Sequence, residues 1–445
     1  MRLAFKSVVV FFLMLLLLIP LMLIRGTISE REAYRAQAVA NVAATSAGKQ
    51  ALLGPVLVVP YTELVEEDEV TPQGTRKVLK ERAGAWTFFP ETLSMDGTMK
   101  PDTRKRGLYR VPVYELDVHA IAAIRAQIPA DGARPRRIGR PFLSVGASDV
   151  RGFVGTPTLK LGGRALPLKA GFGSEPIGGV HARLDAPVAG QALAMDLTFD
   201  AVIGGTEALA LVPIARDNRF SLKSTWPDPI FGGSFLPRAR TVSDKGFRAN
   251  WEISSLATSA QTTFLETDDA AKLLQLASMR GADTSTAGID AVGVTLFDAV
   301  DSYTLADRAT KYGILFVLLT FVGFFMFELI KRLPIHPIQY GLVGLALAIF
   351  FLLLVSLSEH VPFGTAYLAS AAACIGLLGF YLSAVLHSLV RGLGFSVMLA
   401  TLYAALYGVL VSEDNALVLG AGLLFVVLAT IMVVTRKVDW YALQR

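Results

Sequence analysis

The sequence predicts a polytopic α-helical membrane protein of six transmembrane helices, N-in and C-in, with a large β-rich periplasmic domain inserted between helices 1 and 2. Three observations carry this: the positions of the apolar runs, the charge of the segments joining them, and a change of periodicity between the first run and the rest. The 445 residues are 53% hydrophobic with mean hydropathy +0.50, above the apolar share of an ordinary soluble domain. One apolar run lies at Ser7–Ile24. Nothing comparable follows until Tyr312–Phe327, Ile338–Leu357, Val361–Leu386, Leu393–Val411 and Ala416–Thr435. All but the run opening at Tyr312 clear the roughly 17–18 apolar positions of a bilayer span.

The first run follows Arg2 and Lys6 and ends at Arg25-Gly26-Thr27, without a small-x-small cleavage site, so it is expected to stay as an anchor. The connections between later runs alternate in sign. Lys331, Arg332, Arg391, Arg436, Lys437 and Arg445 fall on one side, and Glu359-His360 and Glu413-Asp414-Asn415 on the other. Basic short loops stay in the cytoplasm. The expected division is therefore 1–6 cytoplasmic, 7–24 helix 1, 25–311 periplasmic, 312–435 a five-helix bundle and 436–445 a cytoplasmic tail. Arg25, Arg308 and Lys311 lie at outer boundaries against the rule, and need lipid phosphates or Asp307 to accommodate them.

The formal net charge of +5 does not indicate nucleic-acid binding. Residues 25–311 hold 34 of the 42 Lys and Arg and 32 of the 37 Asp and Glu, a net of +2, with no basic stripe or nucleic-acid motif. The single cysteine, Cys374, lies inside an apolar run, so no internal disulfide and no cysteine-based metal site can form within one chain.

After the anchor, the Ala-rich and charged stretch from Ser29 predicts a helix that Gly48 and Gly54 end before a short strand, VLVVPY (56–61). Residues 63–82 are charged and read as an exposed hairpin loop. From Trp86 the alternation is mostly period two, as in GLYRVPVYELDVHA, where Leu108, Arg110, Pro112, Tyr114, Leu116 and Val118 share one face. That pattern predicts a sandwich-like or barrel-like β-domain. ARPRR (133–137) reads as a solvated basic turn. The segment 219–257 joins prolines and glycines to large aromatics. Trp226, Pro227, Pro229, Phe231, Phe235 and Trp251 form either a plug over the end of a β-core or a candidate binding loop for peptide, glycan or lipid. A short helix is expected around Asp268–Met279.

Nucleotide-binding, zinc-protease and serine-hydrolase motifs are missing from the sequence. The best polar constellation is Glu359, His360, Glu413 and Asp414, two turns on the same expected face. They can bind a proton or cation, act on a lipid headgroup, or simply cap helix ends. Glu328, one turn before Lys331 and Arg332, is expected to pair with them.

Long non-repetitive strings carry a resemblance. They include YRAQAVANVAATSAGKQALLGPVLVVPY (34–61), STWPDPIFGGSFLP (224–237), GFRANWEISSLA (246–257), a stretch from Asp307 to His360, LYAALYGVLVSEDNALVLG (402–420) and TRKVDWY (435–441). In these the chain resembles the CreD family of bacterial inner-membrane proteins, the cell envelope integrity proteins. Where the family pattern has a histidine this chain has Asp228, so a role needing that imidazole does not carry over. The resemblance implies an inner-membrane location and a place in an envelope stress response, with links to β-lactam response and colicin tolerance. It implies no catalytic residue, cofactor or metal. The expected role is a non-enzymatic binding or structural factor in contact with membrane lipids and an unidentified periplasmic or inner-membrane envelope component. The alternatives are a transporter or channel subunit, or a membrane enzyme acting on a lipid-linked or cell-wall substrate.

Overall fold

The computed structural model describes residues 2–71, 74–132, 136–173, 175–267, 269–282, 288–296, 302–331, 335–412 and 416–436. The chain divides into two compact units: a helical unit of residues 1–36 and 299–445, and a β-rich unit of residues 37–298.

The helices of the first unit begin with α1 (Arg2–Leu16) and α2 (Leu18–Thr45). They are one rod interrupted at Leu17, because Pro20 has no N–H to donate to the Leu16 carbonyl one turn back. Leu17, Leu21, Ile24 and Ile28 are buried, a 4-3-4 spacing that keeps one seam of the rod against its neighbours. Phe12, Met22 and Leu23 on the opposite side are exposed, as lipid-facing positions are. The division between units falls inside α2, after Ala36.

Helices α3 (Ala260–Leu265) and α4 (Ala270–Ala282) belong to the β-rich unit. The bundle continues with α5 (Ser302–Lys331), α6 (Pro337–Ser358), α7 (Phe363–Val385), α8 (Leu389–Val411) and α9 (Ala416–Thr435). Helix α5 starts ten residues before the apolar run does. His336 caps α6: its Nδ1 accepts from Ile338 N–H, Gln339 returns a bond to the His336 N–H, and Pro337 sits at the first helical position. Five helical segments among the described residues are long and apolar enough to cross a membrane: Val8–Thr45, Thr304–Phe325, Pro337–Ser358, Phe363–Val385 and Leu389–Val411. A shorter apolar stretch, Val418–Thr430, lies in α9.

Seventeen strands are described in the β-rich unit. The first six are β1 (Gln50–Thr71), β2 (Gly74–Phe88), β3 (Thr92–Arg106), β4 (Tyr109–Gln127), β5 (Arg137–Ile138) and β6 (Phe142–Ala147). Then come β7 (Phe153–Leu161), β8 (Arg164–Leu166), β9 (Lys169–Phe172), β10 (Glu175–Arg183), β11 (Ala192–Thr206) and β12 (Ala208–Leu211). The last are β13 (Asp217–Ser224), β14 (Pro229–Gly233), β15 (Ala239–Ser243), β16 (Gly246–Ser254) and β17 (Val292–Leu296). One sheet runs β14-β17-β12-β1-β6-β10-β9, with β2 and β5 also on β1; the other runs β15-β16-β13-β3-β4-β11-β7-β8. Pairing is antiparallel except β1 with β12 and β13 with β3.

One core joins the sheets, with Leu53 and Leu57 of β1, Leu116 and Val118 of β4, and Phe220 and Leu222 of β13 in a single buried cluster. Leu273, Leu274 and Ala277 of α4 join that cluster. Gly146 leaves room for the Leu274 side chain, which a Cβ would meet at 2.9 Å. The first part of β1 (residues 50–59), β6 and β12 are therefore buried on both faces and read as near-continuous apolar runs. The second sheet keeps one face in solvent, so β4 alternates buried and exposed from Pro112 onward, as its sequence predicts. Val111, also buried, breaks the expected alternation.

Several elements differ from their sequence expectation. VLVVPY is the inner part of a 22-residue strand, and residues 63–71 and 74–82 are the arms of a long β1–β2 hairpin instead of a loop. The 219–257 segment holds four strands. Helix α2 ends at Thr45, before either glycine expected to stop it.

The start of β1 is fixed by a buried amide. Gln50, fully buried, donates to the carbonyls of Asp149 (2.9 Å) and Gly204 (3.1 Å), while its Oε1 accepts from Ser148 Oγ (3.2 Å) and Asp149 N–H (3.3 Å). Gln50→Leu keeps the size but strands those groups, and is expected to cost about 3 kcal/mol. Chemical unfolding of the purified full chain in detergent, followed by β-sheet circular dichroism, measures it. A loss under about 0.5 kcal/mol would show that the network contributes little.

Candidate functional site

Every aromatic residue of the sequence-selected loop touches the core. Trp251, on β16, is buried, and its indole N–H donates to the Phe235 carbonyl at 3.1 Å. Phe231, half-buried on β14, packs edge-on to Phe247 and Trp251 with ring centroids 5.5 and 5.9 Å away, and the Arg240 guanidinium lies 5.9 Å from its centroid. Trp226 and Phe235 are also half-buried against the core. Their alternation explains this: β14 pairs antiparallel with β17, and Phe231 opposite Val294 turns inward. What the segment leaves to solvent is Pro227, Asp228, Ile230 and Leu236, with Pro229 half-buried.

A residue that sequence reasoning passed over holds this loop. Asp290 accepts from Ser234 Oγ (2.7 Å), Thr258 Oγ1 (3.1 Å), Ser259 Oγ (3.0 Å) and Ser259 N–H (2.9 Å). It ties the end of β14 to the residue that precedes α3. Burial works against its ionisation, but the bonds from Ser259, Ser234 and Thr258 outweigh that and hold its carboxyl below the usual carboxylate range. The only sequence signal was an aspartate in a polar, Ala-rich stretch, and its partners lie 31 to 56 residues away.

In the helical unit, the expected polar constellation is only partly described. Glu413 and Asp414 lie outside the described residues. Glu359 caps α6 and pairs with Arg31 of α2, Nε to Oε1 3.3 Å, with its side chain 9% exposed. His360 is exposed, its Nδ1 3.2 Å from the Ser356 carbonyl. Asp307 lies between Lys311 (2.5 Å) and Arg25 (3.6 Å). Glu328 is buried and accepts from Tyr340 Oη at 2.7 Å, a partner twelve residues away that the sequence reading missed. The side chains of Lys331 and Arg332, its expected partners, lie outside the described residues.

Of the basic turn at 133–137, residues 133–135 lie outside the described residues. Arg136 is a structural tie. Its Nε bonds Glu63 at 3.0 Å and its guanidinium covers the stacked rings of Tyr61 and Trp86, 5.6 Å from each.

Two concavities lie elsewhere on the β-rich unit. One, of about 520 Å³, is a trough over the solvent face of the second sheet, bordered by Thr92, Ser94, Ile121, Asp217, Arg219 and Glu252. The other, of about 370 Å³, lies beside Lys100, Arg104, Glu115 and Arg151. Neither includes a residue of the aromatic loop. Among the described residues no group of three or more His, Cys, Asp or Glu is placed to hold a metal ion.

A family model, "Inner membrane protein CreD", matches residues 2–441. The chain belongs to the CreD family. It is 36% identical over 442 residues to inner membrane protein CreD of Escherichia coli (strain K12), covering 98% of this chain and 93% of that relative. The apolar helices agree with membership in a family of inner membrane proteins.

Because the folded Asp290 carboxyl titrates below its unfolded value, its contribution is whole above about pH 4 and is lost as pH falls through the lower folded value. Tryptic cleavage at Arg238 and Arg240 is expected to be faster in Asp290→Ala than in the parent at neutral pH. In Asp290→Asn, the opening of this loop is expected to vary less with acidification. Equal cleavage of parent and Asp290→Ala would remove Asp290 as the tether.

Proposed function

We propose that this CreD-family chain is an inner-membrane cell envelope integrity factor that acts by binding. In this reading it spans six times with both termini cytoplasmic, counting α9 as the sixth span, and residues 25–311 lie in the periplasm. The observation that carries the orientation is the pairing of the misfit charges. Arg25 and Lys311, which lie at the outer boundary against the charge rule, share Asp307, and Arg31 meets Glu359. Neutralised pairs weigh little in the positive-inside balance, which leaves Lys331, Arg391, Arg436 and Lys437 to mark the cytoplasmic side.

Binding is favoured over transport by the filling of the bundle. Phe316, Phe350, Tyr367 and Tyr403 occupy its centre, with the Tyr403 ring 4.5 Å from both Phe316 and Phe350. Tyr367 Oη donates to the Tyr403 carbonyl at 2.7 Å, and Tyr403 Oη to Cys374 Sγ at 3.2 Å. A cavity among α5, α8 and α9 measures about 20 Å³ and is walled by Leu, Phe, Val, Tyr and Gly. That volume holds about one water and no solute. In the β-rich unit, the proposed contact surface is the exposed part of the aromatic segment, Pro227, Asp228, Ile230 and Leu236, presented by a rigid scaffold. Its partner would be an envelope component next to the inner membrane, in the stress-response setting that the family resemblance implies.

Two measurements test this. In a Cys374→Ser background, Asp68→Cys is expected to react with an impermeant maleimide in intact cells with a permeabilised outer membrane. His387→Cys is expected to react only after the inner membrane is opened; the reverse pattern would invert the orientation. A photocrosslinking residue at Leu236 is expected to capture one saturable species, in a quantity that Ile230→Ser lowers severalfold. Diffuse, unsaturable adducts would sink the binding role of this surface.

A further inference from the structure

The β-rich unit carries two long two-stranded ribbons, and they treat charge in opposite ways. In the first, formed by β1 and β2, opposite charges face each other. Glu63 is registered with Arg82 and Asp68 with Lys77, and ion pairs join Lys77 to Glu66 (3.6 Å) and Lys80 to Glu67 (3.2 Å). The second is formed by β3 and β4. Strand β13 pairs with β3 only as far as Met99, and β11 with β4 only from Val113 onward. Pro112 still meets the segment after β11, its carbonyl accepting from the Glu207 N–H at 3.1 Å, so the pairs from Arg104↔Val111 to Arg106↔Tyr109 form the part with no third strand.

The tip of this second ribbon is TRKRGLYR (103–110), four cations and no acid. Lys105 stands directly opposite Arg110. Like charges in that position destabilise a two-stranded ribbon, which here is held from one side through the buried Val111. Asp102 and Glu115 lie near Arg104 without forming an ion pair with it, and Asp117 is bonded to Lys100 at 2.6 Å. Arg104, Lys105, Arg106 and Arg110 are all exposed and have no ion pair among the described residues. Gly107, at φ +62, makes the tight turn and leaves Leu108 at the apex, 52% exposed beside Tyr109. A ribbon that gathers cations against its own stability, around an apolar apex, is built to meet a surface of fixed negative charge.

We propose that the tip of the β3–β4 ribbon docks on the phosphate face of an anionic lipid bilayer, with the four cations at headgroup level and Leu108 entering the interface. Charge complementarity and the apolar apex together select lipid. A soluble polyanion would use the cations but gain nothing from an exposed leucine, whereas an interface rewards both.

The test uses the full chain in phosphatidylcholine nanodiscs, with Leu108→Cys carrying an environment-sensitive dye in a Cys374→Ser background. Vesicles of phosphatidylcholine, with or without phosphatidylglycerol, are added; a parallel set of nanodiscs contains phosphatidylglycerol. Dye quenching by headgroup-labelled lipid in either vesicle or nanodisc, and co-flotation with vesicles, are the readouts. Quenching or flotation that requires phosphatidylglycerol and weakens with salt is expected, as is a loss of about fivefold for each cation changed to Gln. Lys77→Gln with Lys80→Gln, in the other ribbon, should leave binding unchanged. Lys105→Gln should be no less heat-stable than the parent, so that lost binding is not lost folding. Equal signals with and without phosphatidylglycerol, or undiminished binding after all four cations are replaced, would overturn the proposal. So would tip-dependent binding of heparin with none to vesicles.

Discussion

The last turn of a helix leaves carbonyls with no partner inside it, and the β-rich unit is organised around how those of α2 are met. Arg151 donates to the carbonyls of Ala44 (2.7 Å) and Ala43 (3.4 Å), placing a cation at the negative end of the helix. Asp149 holds that guanidinium through both carboxylate oxygens and also accepts from the Gly48 N–H. Burial alone would raise the Asp149 carboxyl, but the bonds from Arg151 and Gly48 hold it below its ordinary range, so the clamp is charged at neutral pH. Thr206 closes the other side, its Oγ1 on the Ala47 carbonyl at 2.6 Å and its N–H on that of Gly48 at 3.0 Å. These bonds fix where the chain enters β1 at Gln50. Because β1 pairs with β2, β5, β6 and β12, that entry point sets the register of four strands at once.

How charge is compensated separates the structural polar groups from the exceptional ones. In the helical unit Arg25, Arg31 and Lys311 meet carboxylates, and the buried Glu328 accepts a hydrogen bond from the Tyr340 hydroxyl. On the sheet that faces solvent, Arg125 meets Asp196 and His119 meets Asp200 across neighbouring strands. The β3–β4 tip departs from this habit, and it does so where strand register makes the repulsion worst. Lys223 also stands opposite Arg248, but as a single pair inside a supported sheet, whereas the tip gathers four cations around one turn.

Much of the architecture was legible because it rests on period and charge alone. The apolar runs gave the helices, and alternation from Pro112 along β4 gave the strands with one wet face. Family membership followed from long strings of particular residues. What stayed hidden depended on pairing between distant segments. Strand β13 joins β3 in parallel across more than 120 residues, so the trough bordered by Ser94, Arg219 and Glu252 had no linear signature. Asp290 was hidden for the same reason. The 63–82 stretch was misread because its charges suggested a solvated loop, whereas opposite-sign pairs across β1 and β2 let a charged segment remain a regular ribbon.

In the aromatic loop, composition alone does not tell which side chains face solvent. Prolines, glycines and large rings describe a plug and a binding loop equally well, and the rings of Trp226, Phe231, Phe235 and Trp251 pack on the core. Inward rings make the backbone stiff, and stiffness is what a recognition surface needs from its support. The indole bond to the Phe235 carbonyl and the Asp290 tether to Ser234 fix the chain before Leu236, and the Arg238 N–H on the Asn250 carbonyl fixes it after. Recognition there would pass through the short exposed side chains, with the aromatics as their scaffold. A substitution of Trp251 would therefore act on the fold and one at Leu236 on binding, although the sequence groups both positions in one motif.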